Sequence, residues 1–211
     1  FSIRGDAMWI DITQTMKKGM PNWPGDTQFS FEVGYTKQQT GSVNIGRITT
    51  SLHTGTHVDA PFHFNSEAET IEQLDINTYI GDCYIVSCVG EEVITVEMLS
   101  SIDFLGAKRV LLKTVNQPSK QFPEKIPVIS PDAASLLNER GVILLGVDNP
   151  SVDPLDSKEV SAHHALYENG IHILEGLDLS EVTTGLYDLI ALPLKIEGAD
   201  GSPVRAVIRK K

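Results

Sequence analysis

Between residues 84 and 192 the chain alternates short apolar runs with segments of helical pattern, and this alternation narrows the folds open to it. The runs 84–89, 109–114, 142–147, 171–174 and 186–192 are rich in Val, Ile and Leu, as strands buried on both faces require. Between them, residues 130–141 carry Ser130 as an expected N-cap, Pro131 at the first helical position and Gly141 just past the end. A second helix is expected over 158–169, closed by Gly170. The pattern predicts a mixed α/β domain whose loops gather around a sheet. The first third reads as short strands at 9–12, 29–35 and 44–52, with the turn-rich Pro21-Asn22-Trp23-Pro24-Gly25-Asp26 between the first two.

A chain of 211 residues without repeats, low-complexity tracts or a linker fits one large domain over residues 8–211, given roughly 150 residues per domain as a prior. Residues 1–7 read as an addition ahead of a natural start at Met8, and their adhesion-like Arg4-Gly5-Asp6 is set aside. The net charge of −11 opposes the Lys/Arg footprint that phosphate backbones demand, so no nucleic-acid partner is expected. No apolar run approaches the roughly 20 residues of a membrane span. Cys83 and Cys88 form neither a disulfide framework nor a zinc-knuckle spacing, which suits a reduced, cytoplasmic location.

Three of the six histidines crowd into Ser51-Leu52-His53-Thr54-Gly55-Thr56-His57-Val58-Asp59-Ala60-Pro61-Phe62-His63. His53 and His57 are spaced to share a helix face, but Thr54-Gly55-Thr56 and Pro61 favour a strand leaving into a loop. On an extended segment His57 and Asp59 share a face, since side chains alternate. Two imidazoles and a carboxylate supply the nitrogen and oxygen ligands preferred by zinc and neighbouring divalent ions, without thiolates, so a hydrolytic site is expected over a structural one. The chain has no G-x-S-x-G elbow, no glycine-rich phosphate loop, no G-x-G-x-x-G and no H-E-x-x-H helix. Serine-hydrolase, nucleotide and zincin chemistries are thereby disfavoured.

The stretch His53-Thr54-Gly55-Thr56-His57-Val58-Asp59-Ala60-Pro61-Phe62-His63 resembles the H-x-G-T-H-x-D-x-P-x-H signature of the cyclase-like metal-dependent hydrolases. The resemblance continues through Trp23-Pro24-Gly25-Asp26, Gly146-Val147-Asp148, Pro150-Ser151-Val152-Asp153-Pro154, His163-His164-Ala165-Leu166, Ile173-Leu174-Glu175 and Gly201-Ser202-Pro203-Val204-Arg205-Ala206. It implies a swivelling β/α/β-type domain with a mixed sheet and flanking helices, assembled as a homodimer. It further implies two Zn²⁺ ions per subunit, with Mn²⁺ or another divalent ion as alternatives. His53, His57 and Asp59 would hold one ion, with Asp59 reaching the second. His163 would bind that second ion and Glu175 both.

Neighbours on a helix point about 100° apart, so only one of His163 and His164 can face the metals; the family spacing to Glu175 favours His163, leaving His164 on the surface or behind the ligands. His172 alternates away from Glu175 and has no expected place among the ligands. The resemblance makes His63 the catalytic proton donor and acceptor, against the alternative of a fifth ligand. Trp23, and more weakly Phe62, would contact substrate. The implied activity is removal of formate from N-formyl-L-kynurenine to give L-kynurenine in tryptophan degradation, by metal-activated water attacking the formyl carbonyl. A hydrolase of another small amide or cyclic imide, or a non-catalytic zinc-binding protein, remain the alternatives.

Overall fold

Nine strands join into one mixed sheet in the computed structural model, which describes residues 8–211. In chain order the elements are β1 (Ile10–Asp11), β2 (Ser30–Tyr35), α1 (Lys37–Thr40), β3 (Ile45–Thr49), β4 (His57–Asp59), β5 (Ile80–Ser87), β6 (Val93–Ile94), α2 (Val96–Ser100) and β7 (Arg109–Lys113). They continue with β8 (Val128–Ile129), α3 (Ala133–Glu139), β9 (Leu144–Val147), α4 (Ser161–Glu168), β10 (His172–Glu175), β11 (Gly185–Ile190), β12 (Gly201–Pro203) and β13 (Val207–Lys210). The large sheet runs β1-β13-β11-β5-β7-β9-β10-β4-β12, and β2-β3 and β6-β8 are separate pairs. The expected five apolar runs all become strands of the large sheet. The expectation for residues 1–7 lies outside the described residues.

Strand periodicity divides the core in two. On the parallel strands β5, β7, β9 and β10, Val86, Val110, Leu112, Leu145, Val147 and Ile173 pack with Leu99 of α2, Leu137 of α3 and Leu166 of α4. The intervening Ile85, Leu111, Leu144 and Leu174 turn to the opposite face, where they meet Ile12, Tyr79, Leu177, Leu189 and Ile208. A strand covered on both sides has no position for a polar residue, which is why these runs are nearly continuous in the sequence.

Several element ends differ from the expectation. β5 begins at Ile80, ahead of residue 84, and α4 begins at Ser161 because Val160 sits at φ 40°, outside the right-handed helical region. The helix expected from Ser130 begins at Ala133: the Ser130 hydroxyl donates to the Asp132 carboxylate instead of capping an amide, and Asp132 takes the cap position without a side-chain cap bond.

Candidate metal centre

The site forms where the parallel part of the sheet ends, at the antiparallel pairing of β10 with β4. β4 lies antiparallel to β10, with Val58 opposite Leu174 and His57 opposite Glu175. Val58 and Leu174 point into the core that also holds Ile12. Alternation therefore sends His57, Asp59 and Glu175 together to the other face, where α4 brings His163. Gly176, at φ +65°, makes this closure possible: a Cβ there would lie 2.1 Å from the Gly55 carbonyl oxygen. The Thr56 hydroxyl donates to Gly176 O at 2.6 Å and fixes the same approach.

Three groups of possible ligands result: His53-His57-Asp59 and Asp59-His163-Glu175, which share Asp59, and the more open His53-His63-Asp200, which shares His53 with the first. Asp59 Oδ1 lies 2.9 Å from His53 Nδ1 and 3.4 Å from His57 Nε2, while its Oδ2 lies 3.4 Å from His163 Nε2. Glu175 stands between the same histidines, with Oε2 3.4 Å from His57 Nε2 and Oε1 3.7 Å from His163 Nε2. Each imidazole has its other nitrogen engaged outside the cluster. His57 Nδ1 meets Gly55 O at 2.9 Å, His163 Nδ1 meets Asp153 at 2.7 Å and His53 Nε2 meets Asp200 at 3.0 Å. Such outer bonds fix tautomer and ring orientation, so that a ring that has given up its proton to an entering ion turns its free nitrogen inward.

The donor set fits divalent cations. His57 Nε2 and Asp59 Oδ2 are buried without a hydrogen-bond partner among the described residues, an arrangement costly unless another group completes it. Burial alone would depress the His57 imidazole, but the Asp59 and Glu175 carboxylates outweigh it and hold it at about 10. His163 is likewise held at about 10, by Asp153 and Asp59 against burial, and His53 at about 9, by Asp200 and Asp59. Burial would raise Asp59, yet the His163, His53 and His57 imidazoles carry it well below the ordinary carboxylate range. Glu175 moves up, through burial and the neighbouring Asp59 charge. The cluster thus stabilises positive charge at its centre.

His63 ends the short 3₁₀ turn Pro61–His63 and stacks on His53, with ring centroids 3.9 Å apart. A pocket beside the ligands is lined by Trp23, His53, His57, Phe122 and Asn149. Trp23 and Phe122 meet edge to face there, at 5.3 Å between centroids. Phe62 is exposed and, like His63, is absent from that lining; Phe64 packs on His163, with centroids 5.3 Å apart. His164 also packs on Phe64, and His172 faces the Tyr79 hydroxyl at 3.4 Å, outside the ligand groups.

Four contributors escaped the sequence reading as functional residues. Asp153 accepts from the Ala162 and His163 amides at 2.9 and 3.0 Å, so one carboxylate caps α4 and orients its histidine. Its only signal was its place in the family-like stretch Pro150-Ser151-Val152-Asp153-Pro154, since it stands too far ahead of Ser161 to read as an N-cap. Asp200, Phe122 and the Gly55 carbonyl carried no comparable local signal, since chain crossings alone bring them to the site.

Comparison with known proteins agrees with this geometry. Residues 10–154 match the model of the Cyclase family, described as "Putative cyclase". A kynurenine formamidase of Bacillus cereus is 50% identical over 202 residues, covering 95% of this chain and 97% of its own. A solved structure described as a potential metal-dependent hydrolase with cyclase activity superposes with a TM-score of 0.83 at 27% identity, over 97% of this chain and 98% of that one. A solved structure described as a predicted metal-dependent hydrolase from Bacillus stearothermophilus gives 0.82 at 28% identity, over 97% and 98%. The chain belongs to the Cyclase family, a family of metal-dependent hydrolases. Within it, the chain is a member of the kynurenine formamidase group.

Proposed function

We propose that the chain hydrolyses N-formyl-L-kynurenine to L-kynurenine and formate, with His53, His57, Asp59, His163 and Glu175 holding two divalent ions, zinc by preference. The observation that carries this reading is the pair of ligand groups sharing Asp59, with every imidazole oriented from outside. A divalent ion bound there supplies Lewis acidity, polarising a carbonyl and lowering the pKa of a water.

The residues account for the rest of the reaction. The departing group is an arylamine, a poor anion, which has to gain a proton as the carbon–nitrogen bond breaks. His63 takes a proton from the water whose oxygen bonds to the formyl carbon and returns it to that nitrogen. Burial holds the His63 imidazole below its ordinary value, so it is neutral and able to accept at neutral pH. Trp23 and Phe122 form an aromatic corner suited to the aniline ring.

The reading includes a homodimer, and the exposed Phe31, Tyr35, Ile45 and Ile48 on the β2-β3 hairpin offer apolar surface for a second copy. No helix among the described residues is long and apolar enough to cross a membrane. The buried free thiols Cys83 and Cys88 suit a reducing, cytoplasmic compartment.

The deciding experiment is formate release from N-formylkynurenine before chelation, after it, and after readdition of zinc or manganese, alongside simple formanilides and isatin-like rings. Chelator-sensitive release restored by metal supports the reading. Turnover of the cyclic substrates alone replaces the substrate, and no turnover of any leaves a binding protein.

A further inference from the structure

Asp200 stands where two imidazoles that have different tasks in the proposed function converge. Its Oδ2 lies 3.0 Å from Nε2 of His53 and 3.7 Å from Nδ1 of His63. The sheet fixes this position: β12 pairs with β4 so that Gly201 faces Asp59, and the Ala60 amide donates to the Asp200 carbonyl at 2.9 Å. Gly201 completes the arrangement, because a Cβ there would come within 2.9 Å of both His53 Cε1 and the Val58 carbonyl oxygen. Bare backbone at this position lets the His53 ring lie flat against β12 within reach of the carboxylate.

We propose that Asp200 is a positioning residue for both rings: it accepts the Nε2 proton of His53, leaving Nδ1 turned to the ligand cluster, and it faces Nδ1 of His63, leaving Nε2 for the reacting atoms. The two rings stack with centroids 3.9 Å apart and planes 31° from parallel, so a rotation of either displaces the other. One carboxylate therefore sets the tautomer of a metal ligand and the aim of the proton carrier. The side chain is 40% exposed, and water does not provide the same fixed acceptor once it is removed. This assignment rests on the metal-hydrolase reading above.

The test uses the full chain, zinc-loaded, as parent, Asp200→Ala and Asp200→Asn. Zinc affinity is read by competition with a chromophoric chelator, independently of any substrate, and kcat and KM by formate release. Loss of an outer partner of a metal-bound histidine typically costs about 10–100-fold. Asp200→Ala is expected to weaken zinc by that factor and to lower kcat similarly, with KM within about threefold of the parent. Asp200→Asn keeps a carbonyl oxygen that accepts from His53 Nε2–H, so it recovers most of the zinc affinity. Nitrogen-15 spectra of the histidine side chains should show His53 protonated at Nε2 in parent and Asn variant, and a mixture of tautomers in the Ala variant. Should the Ala variant not fold, Asp200→Ser, too short to reach either ring, takes its place.

The proposal is overturned by an Ala variant within twofold of the parent in both zinc affinity and kcat, by an Asn variant as damaged as the Ala variant, or by a third equivalent of zinc lost with Asp200. A parent that binds zinc but releases no formate would reject the proposed function, while the zinc competition and tautomer readings still decide the role of Asp200 toward His53.

Discussion

The two sides of the His53–His57 pair are built differently. On the metal side, His57, Asp59, His163 and Glu175 are buried on β4, α4 and β10, and the sheet register sets their separation. On the other side, Trp23 and Phe122 line the pocket from irregular segments and His63 stacks on His53 from a 3₁₀ turn outside that lining; Trp23 and His63 remain more than a third exposed. A site that must hold cations at fixed distances uses elements that cannot yield, whereas ring recognition tolerates small adjustments and is left to loops. Substitutions on the two sides should accordingly fail in different ways.

The largest effect belongs to the shared carboxylate. Asp59 faces three histidines, so Asp59→Ala removes the member common to two ligand groups and the one carboxylate that all three imidazoles share. Elemental analysis should find the site emptied, and formate release should fall by far more than the roughly 100-fold upper range for an outer partner. Retention of two equivalents of metal in this variant would remove Asp59 from the centre of the site. Next comes His63→Ala, expected to lower kcat by about 10²–10⁴-fold while metal content stays at the parent level. Loss of metal together with rate would make His63 a ligand and move it across the divide between the two sides.

The metal side also predicts a dependence on pH. Its histidines, ordinarily near 6.5, are held at about 10 for His57 and His163 and about 9 for His53. An imidazole must be neutral to bind metal, so in chelator-stripped protein each entering ion displaces protons and apparent affinity rises from pH 7 toward 9. Stability follows from the same sign. A histidine pKa raised by folding stabilises fully below its unfolded value of about 6.5, and that contribution is lost as pH rises through the folded value. The melting-temperature gap between metal-loaded and stripped protein should therefore widen from pH 7 to 10. A constant gap, with no proton release in calorimetry across buffers of different ionisation enthalpy, would contradict the charge pairing.

The same divide governs how much was legible in the sequence. The apolar runs announced the sheet because burial on both faces leaves a local composition mark, and His53, His57 and Asp59 fall within one short stretch where alternation places two of them on a face. His163 and Glu175 entered only through resemblance, since no local pattern links them to β4 across more than a hundred residues. Asp200 reaches His53 across 147 residues, by the pairing of β12 with β4. A strand partner of three residues has too little pattern to be read in advance. Phe62 shows the opposite limit: it lies within the signature stretch, yet it is exposed and outside the lining that holds Trp23.

The smallest effect is expected on the substrate side. Trp23 meets Phe122 edge to face, and an aniline ring entering this corner gains an aromatic contact worth about 0.5–1.5 kcal/mol beyond its buried area. With about 1.4 kcal/mol per tenfold, Trp23→Ala should raise KM by roughly twofold to twelvefold, with kcat and metal content near the parent values. Trp23→Phe keeps an aromatic face and should recover most of the loss. A Trp23→Ala variant whose kcat falls with KM unchanged would mean that the ring aims the formyl group instead of binding the aniline, and the tolerance assigned to this side would not hold. Raised KM values restricted to substrates that carry an aryl ring would locate the aniline at Trp23, against the alternative that the tryptophan merely packs its proline-rich turn.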